Sequence, residues 1–243
     1  MRIVLLESSD RENGKITYSE ILEEVNKYAK KGDFWILPEA FDTGWNVNKA
    51  NTKFPSMENL IFFHQLSEKH EISVCGSFYV KKENGKFVNR FAVVTKDGEE
   101  FFTEKRHLFG DFETKYCKPG EKPLQFKIDG IIFRVAVCYD LRFPVWCRQN
   151  ADTYDVLLCV SQWPLVRLFD KDLLLSSRAL ENVAYSVNCN GLGSSDVFFA
   201  DGKPLLNIPE TENIAFFELD LEKLNSYRER KKYLSDADKF EIL

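Results

Sequence analysis

The chain reads as an α/β protein in which a mixed sheet, or two sheets, is covered by helices. Apolar runs of strand length alternate with amphipathic stretches of helical period from one end to the other. Two strand pairs are joined by tight hairpin turns, which an all-parallel sheet does not contain. No linker rich in Pro, Gly or Ser divides the 243 residues, and no repeat of roughly 20–50 residues recurs, so residues 1–243 are expected to form one domain.

The elements follow in order. Residues 1–6 form an apolar strand, and residues 17–31 a helix that places Ile21, Leu22, Val25 and Tyr28 on one face. A short buried strand covers 34–37. A helix covers 55–70 with Leu60, Phe63 and Leu66 inward, and a strand covers 72–80. Strands at 87–95 and 99–105 flank Lys96-Asp97-Gly98, and strands at 124–128 and 131–137 flank Asp129-Gly130, the strongest kind of two-residue turn. A short helix starts at Pro144, a strand covers 156–160, and a long helix covers 167–184. Strands at 185–189, 197–200 and 214–218 and a helix at 221–227 complete the set, and the charged stretch 231–243 is expected to be an extended tail.

Composition excludes several classes. With 44% hydrophobic and 29% charged residues the chain is neither disordered, collagenous nor a coiled coil. Its net charge of −5, without a basic block, gives no footprint for nucleic acid or anionic lipid. No apolar run approaches the roughly 18 residues of a membrane helix. The apolar stretch from Ile3 to Leu6 is shorter than the core of a secretory signal, so a cytoplasmic location is expected. The six cysteines show no CxxC and no Cys–His alternation, which argues against a zinc site and a disulfide scaffold. Gly191-Leu192-Gly193-Ser194-Ser195 reads as a turn, and no phosphate-cradling loop is present.

The chemistry concentrates where apolar strands stop at reactive side chains. Phe34-Trp35-Ile36-Leu37-Pro38 ends in Glu39, Phe101 to Glu104 runs into Lys105, and Ile132 to Val137 ends in Cys138. An acid, an amine and a thiol at equivalent ends of neighbouring strands converge on one point in such architectures. Strand, sharp turn and Pro144-led helix are the layout of a nucleophile elbow at Cys138, with the helix N-terminus and a cation expected to lower the thiol pKa. The alternative is one more buried cysteine. Glu39 suits a general base if buried, or else is a loop charge. Lys105 suits an oxyanion holder, or else is a solvated edge charge. His107 is a competing base for a Cys–His pair, though a structural place fits it better.

These segments resemble the nitrilase, or carbon–nitrogen hydrolase, superfamily. The segment Leu37-Pro38-Glu39-Ala40-Phe41-Asp42-Thr43-Gly44-Trp45 is similar to the one carrying that family's catalytic Glu. Glu104-Lys105-Arg106-His107-Leu108-Phe109 is similar to its Lys segment, and Val137-Cys138-Tyr139-Asp140-Leu141-Arg142-Phe143-Pro144 to its Cys elbow, in the family's order. Cys75-Gly76-Ser77-Phe78, Asn89-Arg90, Lys118-Pro119-Gly120, Gln162-Trp163-Pro164 and Arg178-Ala179-Leu180-Glu181-Asn182 extend the match along the chain. Departures fall at residues 8–18, at Asp111-Phe112, and at Asn190-Gly191, where an Asn-Arg pair is common.

The resemblance implies a four-layer αββα sandwich with two central mixed sheets, a homodimer, and no metal or organic cofactor. It is closest in character to the omega-amidase branch, which hydrolyses the terminal amide of small dicarboxylic monoamides such as 2-oxoglutaramate and 2-oxosuccinamate. It implies Glu39 as base, Cys138 as nucleophile, Lys105 and the Tyr139 backbone N–H as oxyanion donors, and Glu113 as a supporting acid. Arg142 is the candidate for the substrate carboxylate, or else forms an ion pair with Asp140. Trp163 and Phe41 wall the pocket, or else pack in the core. An N-carbamoyl amino acid amidohydrolase, a nitrilase, or a non-catalytic binding module on the same fold are the competing readings.

Overall fold

In the computed structural model, residues 1–44, 56–149, 153–208 and 212–238 are described. The chain opens with β1 (Arg2–Leu6), α1 (Tyr18–Tyr28), β2 (Phe34–Ile36), α2 (Ser56–His70), β3 (Ser73–Lys81), β4 (Phe87–Val94), β5 (Glu100–Glu104) and α3 (Gly110–Tyr116). It continues with β6 (Gln125–Ile128), β7 (Ile131–Val137), α4 (Pro144–Cys147), β8 (Val156–Ser161), α5 (Leu168–Asn182), β9 (Tyr185–Asn190), β10 (Asp196–Phe198) and β11 (Pro204–Asn207). It ends with β12 (Ile214–Glu218) and α6 (Leu221–Lys231).

These strands form two six-stranded sheets, ordered β12-β1-β2-β3-β4-β5 and β11-β10-β9-β8-β7-β6. In the first, β1, β2 and β3 are parallel, with antiparallel β12 on one side and the β3-β4-β5 meander on the other. The second repeats that pattern, with β7, β8 and β9 parallel, antiparallel β6 beside β7, and a β9-β10-β11 meander. One topology thus occurs twice, although no sequence repeat announces it.

Side-chain alternation sorts the strands into layers. Ile3, Leu5, Phe34 and Ile36 of the first sheet meet Phe133, Val135, Leu158 and Val187 of the second in a central core. The intervening residues Val4, Leu6, Trp35 and Leu37 turn outward against Ile21 and Val25 of α1 and Phe63 and Leu66 of α2. On the far side, Ala136, Leu157 and Cys159 meet Leu175 and Ala179 of α5 and Trp146 of α4. The layers are therefore α, β, β, α, as expected from the resemblance, and both faces of each sheet are buried, which is why β1 from Ile3 to Leu6 and β8 from Val156 to Val160 are unbroken apolar runs.

Local signals account for most boundaries. Thr17 caps α1 and forms a capping box with Glu20. Asp129 and Gly130 both take positive φ, 47° and 86°, as the two-residue hairpin turn requires. Three expectations need correction or extension. The helix α3 and the strand β11 carry too few apolar residues to show a period and were not expected. The terminal segment is not extended throughout: α6 runs to Lys231 and a 3-10 turn follows at Tyr233–Asp236, because Asp220 caps the helix and Leu224 anchors it in the core. Trp45, Pro55 and residues 239–243 lie outside the described residues.

Candidate active site

The three strand-end residues meet, though not along one sheet. Glu39 follows β2 and Lys105 follows β5, both in the first sheet, whereas Cys138 follows β7 in the second. They converge across the central core, which corrects the expectation of neighbouring strands in one sheet. The strands β2, β3 and β5 run in the same direction, so Glu39 and Lys105 leave from the same end of their sheet.

Lys105 is fully buried and its Nζ lies 2.8 Å from Glu39 Oε1 and 2.8 Å from Glu113 Oε2. Two of its three ammonium protons are thereby used, and one is left for a third acceptor. Glu113, on α3, also accepts from the Phe109 backbone N–H at 2.9 Å and from the Tyr79 hydroxyl at 3.1 Å. The Asn89 amide bridges the two acids, donating to Glu39 Oε1 and Glu113 Oε1 at 2.9 Å each. Asn89 and Tyr79 are directly paired on β4 and β3, and the Asn89 carbonyl accepts from the Lys105 backbone N–H, so the sheet register holds this network. Glu39 Oε2 is buried with no hydrogen-bond partner among the described residues.

Cys138 sits at φ 47°, in the left-handed region that side chains with a Cβ avoid, and Ala40, next to Glu39, sits at φ 45°. Both turns hold their reactive neighbour in place at a cost of about 1–3 kcal/mol each. Asp140 clamps the elbow: its Oδ2 accepts from the Val137 N–H at 3.1 Å and its Oδ1 from the His107 N–H at 2.8 Å. His107 Nδ1 lies 2.8 Å from the same oxygen, and the ring stacks on Phe143 at 3.6 Å. His107 thus supports the turn through Asp140 rather than facing the thiol.

Charge and burial set the proton positions. Burial is the largest influence on Glu39 and, with the Glu113 charge, raises its carboxyl above the ordinary glutamate value despite Lys105. Burial works against the Lys105 ammonium, but Glu39 and Glu113 outweigh it and hold the group charged. The expectation of a lowered Cys138 pKa is overturned. Burial and the Glu39 charge push the thiol well above its ordinary range, and Lys105 only partly offsets them. The helical stretch after Cys138 is a five-residue 3-10 turn followed by four-residue α4, too short to supply a strong dipole. The resting group is a thiol with a base beside it.

A cavity of about 200 Å3 opens over Cys138, with Phe109, Tyr139, Gln162, Trp163 and Arg167 in its wall. Trp163 therefore stands where the pocket reading places it. Phe41 does not line this cavity: it is fully buried and packs on Phe63 and Phe78 in the layer between the first sheet and α2, so core packing describes it. Arg142 lies over the Trp163 ring at 4.9 Å and pairs with Asp170 at 2.5 Å, not with Asp140, whose oxygens are taken by the elbow. Gln162 ties the sheets together, donating to the Glu39 carbonyl at 2.6 Å and the Gly14 carbonyl at 3.0 Å. A Cβ at Gly191 would lie 2.4 Å from Gln162 Nε2, so glycine at this departure from the family pattern makes room for that tie.

Sequence reasoning left Asn89, Tyr79, Gln162 and Arg167 without a role. The signals for Asn89 were the Asn89-Arg90 segment of the family match and a polar residue at a buried position of a mostly apolar strand.

Comparison with known proteins agrees with this geometry. The carbon-nitrogen hydrolase family model matches residues 3–229. The omega-amidase YafV of Yersinia enterocolitica is 34% identical over 93% of this chain and 91% of its own length. The 2-oxoglutaramate amidase of Bacillus subtilis is 28% identical over 88% of each. A CN-hydrolase superfamily protein from Xanthomonas campestris, solved with an arsenic adduct in its active site, superposes with a TM-score of 0.88 at 26% identity, covering 100% of this chain and 99% of that one. On its sequence, its two-sheet fold and these relatives, the chain belongs to the carbon–nitrogen hydrolase family.

Proposed function

We propose that the protein is an omega-amidase, hydrolysing the terminal amide of small dicarboxylic monoamides of the 2-oxoglutaramate and 2-oxosuccinamate type through a cysteine thioester. The observation that carries this reading is the buried Glu39–Lys105–Glu113 cluster beside a strained Cys138 at the base of a cavity. Kinship with the Yersinia omega-amidase and the Bacillus 2-oxoglutaramate amidase supports the substrate class.

In the first half-reaction Glu39 takes the thiol proton as sulfur bonds to the amide carbon. The unpartnered Oε2 is the oxygen suited to that transfer. The carbonyl oxygen gains the negative charge and is held by the third proton of Lys105 and the first-turn N–H of Tyr139, an arrangement whose loss typically costs ~10²–10³-fold in turnover. As the oxyanion collapses the C–N bond breaks and Glu39 returns its proton to nitrogen, releasing ammonia. Water then attacks the thioester, Glu39 taking one proton from it, and the second collapse expels the thiolate, which recovers the proton from Glu39. The products are the dicarboxylate and free enzyme. Glu113 and Asn89 keep Lys105 and Glu39 in register throughout.

The same reading takes two copies of the chain as the working unit. A stripe of exposed apolar residues at helical spacing runs through α5 and the turn before it, with Val166 91% and Phe169 79% exposed and Leu173 and Leu180 farther along. A reducing cytoplasm is supported by six cysteines that are all free and buried. Among the described residues no helix is long and apolar enough to cross a membrane. One assay tests the activity: ammonia release from 2-oxoglutaramate, 2-oxosuccinamate, an N-carbamoyl amino acid and a simple nitrile, with Cys138→Ala beside the wild type. Release from the oxo-acid amides alone, abolished in the variant, is the expected outcome. Release from the carbamoyl compound or the nitrile alone would keep the cysteine chemistry and discard the substrate class.

A further inference from the structure

An omega-monoamide carries a carboxylate at the end away from the scissile bond, and a cavity walled by Phe109, Trp163 and Val166 strips that anion of water unless a cation meets it. Arg142 is poorly placed to do so. It does not line the cavity, and its guanidinium is already bonded to Asp170 at 2.5 Å. Arg167 differs on both counts. It is the one charged residue among those lining the cavity, and among the described residues no carboxylate lies within ion-pair distance of it.

Arg167 is also held in position. It closes the 3-10 turn Leu165–Arg167 that begins at Pro164, with its backbone N–H donating to the Pro164 carbonyl at 2.8 Å. Its guanidinium lies over the Phe109 ring at 5.2 Å, which fixes the plane of the fork while leaving the N–H groups at its edge unused. Trp163, which lines the same cavity, has a buried indole N–H with no partner among the described residues. We propose that Arg167 is the specificity-determining residue of this site, binding the free carboxylate of the substrate at the mouth of the cavity while Cys138 addresses the amide at its base. The inference rests on the omega-amidase reading, and it shifts the carboxylate contact from Arg142 to Arg167.

The test pairs substrates of equal length and unequal charge. Succinamate and butyramide are assayed with wild type, Arg167→Ala, Arg167→Lys and Arg142→Ala. In Arg167→Ala, KM for succinamate should rise roughly 10–100-fold more than KM for butyramide, the range expected for a charged hydrogen-bonded contact. Arg167→Lys should recover part of that selectivity. An equal rise for both amides, or a larger selective rise in Arg142→Ala, overturns the proposal. A second readout does not depend on amide turnover: the ratio of Cys138 alkylation rates by 4-iodobutyrate and 4-iodobutyramide, whose electrophilic carbon stands as many bonds from the charged or neutral end as the scissile carbon of succinamate does from its carboxylate. That ratio should fall at least severalfold in Arg167→Ala, and an unchanged ratio overturns the assignment. If wild type releases no ammonia from any monoamide, the omega-amidase reading fails, while the alkylation ratio still decides for or against Arg167.

Discussion

Glu39 is held by its surroundings in a state that favours work over stability. Its folded carboxyl is raised above the ordinary value of 4.5, first by burial and then by Glu113. A group whose folded pKa is raised stabilises the fold in its protonated form, fully so below the unfolded pKa, and that contribution is lost as pH rises through the folded value. At neutral pH the ionised Glu39 therefore weighs against the fold, and the base form that the proposed mechanism requires is the costly one. Glu39→Gln is expected to lose ammonia release by at least ~10²-fold and yet to unfold no earlier on heating than wild type near pH 8. Calorimetry beside the amidase assay checks both. In wild type the acid limb of the rate profile is expected above the usual carboxylate range, with activity falling as pH drops through it. A limb near 4.5 would show that burial does not govern this carboxyl. That Glu39, Lys105 and Cys138 come together was legible in the sequence because each follows a strand and resembles a reactive segment of the family in the family's order. Tyr79 and Asn89 were not. Their partner acids lie 34 and 24 residues away in the chain, and periodicity shows which face a residue takes but not what it faces. Phe41 was misread as a possible wall for the same reason: aromatic character does not reveal which side of the sheet it serves.

At the scale of elements, each reactive residue is positioned by the turn or strand end that carries it. Lys105 depends on a backbone approach that only glycine permits. A Cβ at Gly120 would lie 2.0 Å from the Glu104 carbonyl oxygen, and the Gly120 N–H donates to the Lys105 carbonyl at 2.8 Å. Gly120→Ala must therefore push the end of β5 outward and carry Lys105 with it. A loss of ~10–10²-fold in kcat is expected from such a small displacement of the proposed oxyanion donor. The near-native circular dichroism spectrum should persist, and full activity in this variant would show that Lys105 has more freedom than the contacts allow. The elements with explicit punctuation were readable: the Thr17–Glu20 capping box, the Asp129-Gly130 turn, and Pro144 at the start of α4. Short elements were not, since the seven residues of α3 and the four of β11 form on tertiary contacts rather than on any period of their own. The helix α3 delivers Glu113 to Lys105, and Glu113 was named from the family resemblance rather than from any helical period.

For the whole molecule, the described residues of the helical layers leave an apolar surface in the stripe of Val166, Phe169 and Leu173 along the start of α5. Phe169→Glu would place a charge in the middle of it, and if two copies meet there the variant should elute as a monomer in light-scattering chromatography while wild type elutes as a dimer. Two wild-type monomers would remove the dimer from the account without touching the site. The layered class was visible from alternation and hairpins, but the doubling of the sheet was not, since β1 to β5 and β7 to β11 share a strand pattern and not a sequence. That doubling has a consequence for how the enzyme fails. One sheet supplies the acid and the amine, the other supplies the sulfur, and the hydrogen bonds that tie them include the Gln162 amide to the Glu39 carbonyl, the Cys189 thiol to the Ile36 carbonyl at 3.2 Å and the Leu6 carbonyl at 3.4 Å, the Ser195 N–H to Glu7, and the Lys96 ammonium to Asp129 at 2.6 Å. A slip of about 1 Å between the sheets would keep nearly all backbone hydrogen bonds, which run within each sheet, and would still part Glu39 from Cys138, the base and nucleophile of the proposed mechanism. Turnover is thus a gauge of how well the two halves are aligned, and it goes dark while every spectroscopic sign of folded structure is still lit.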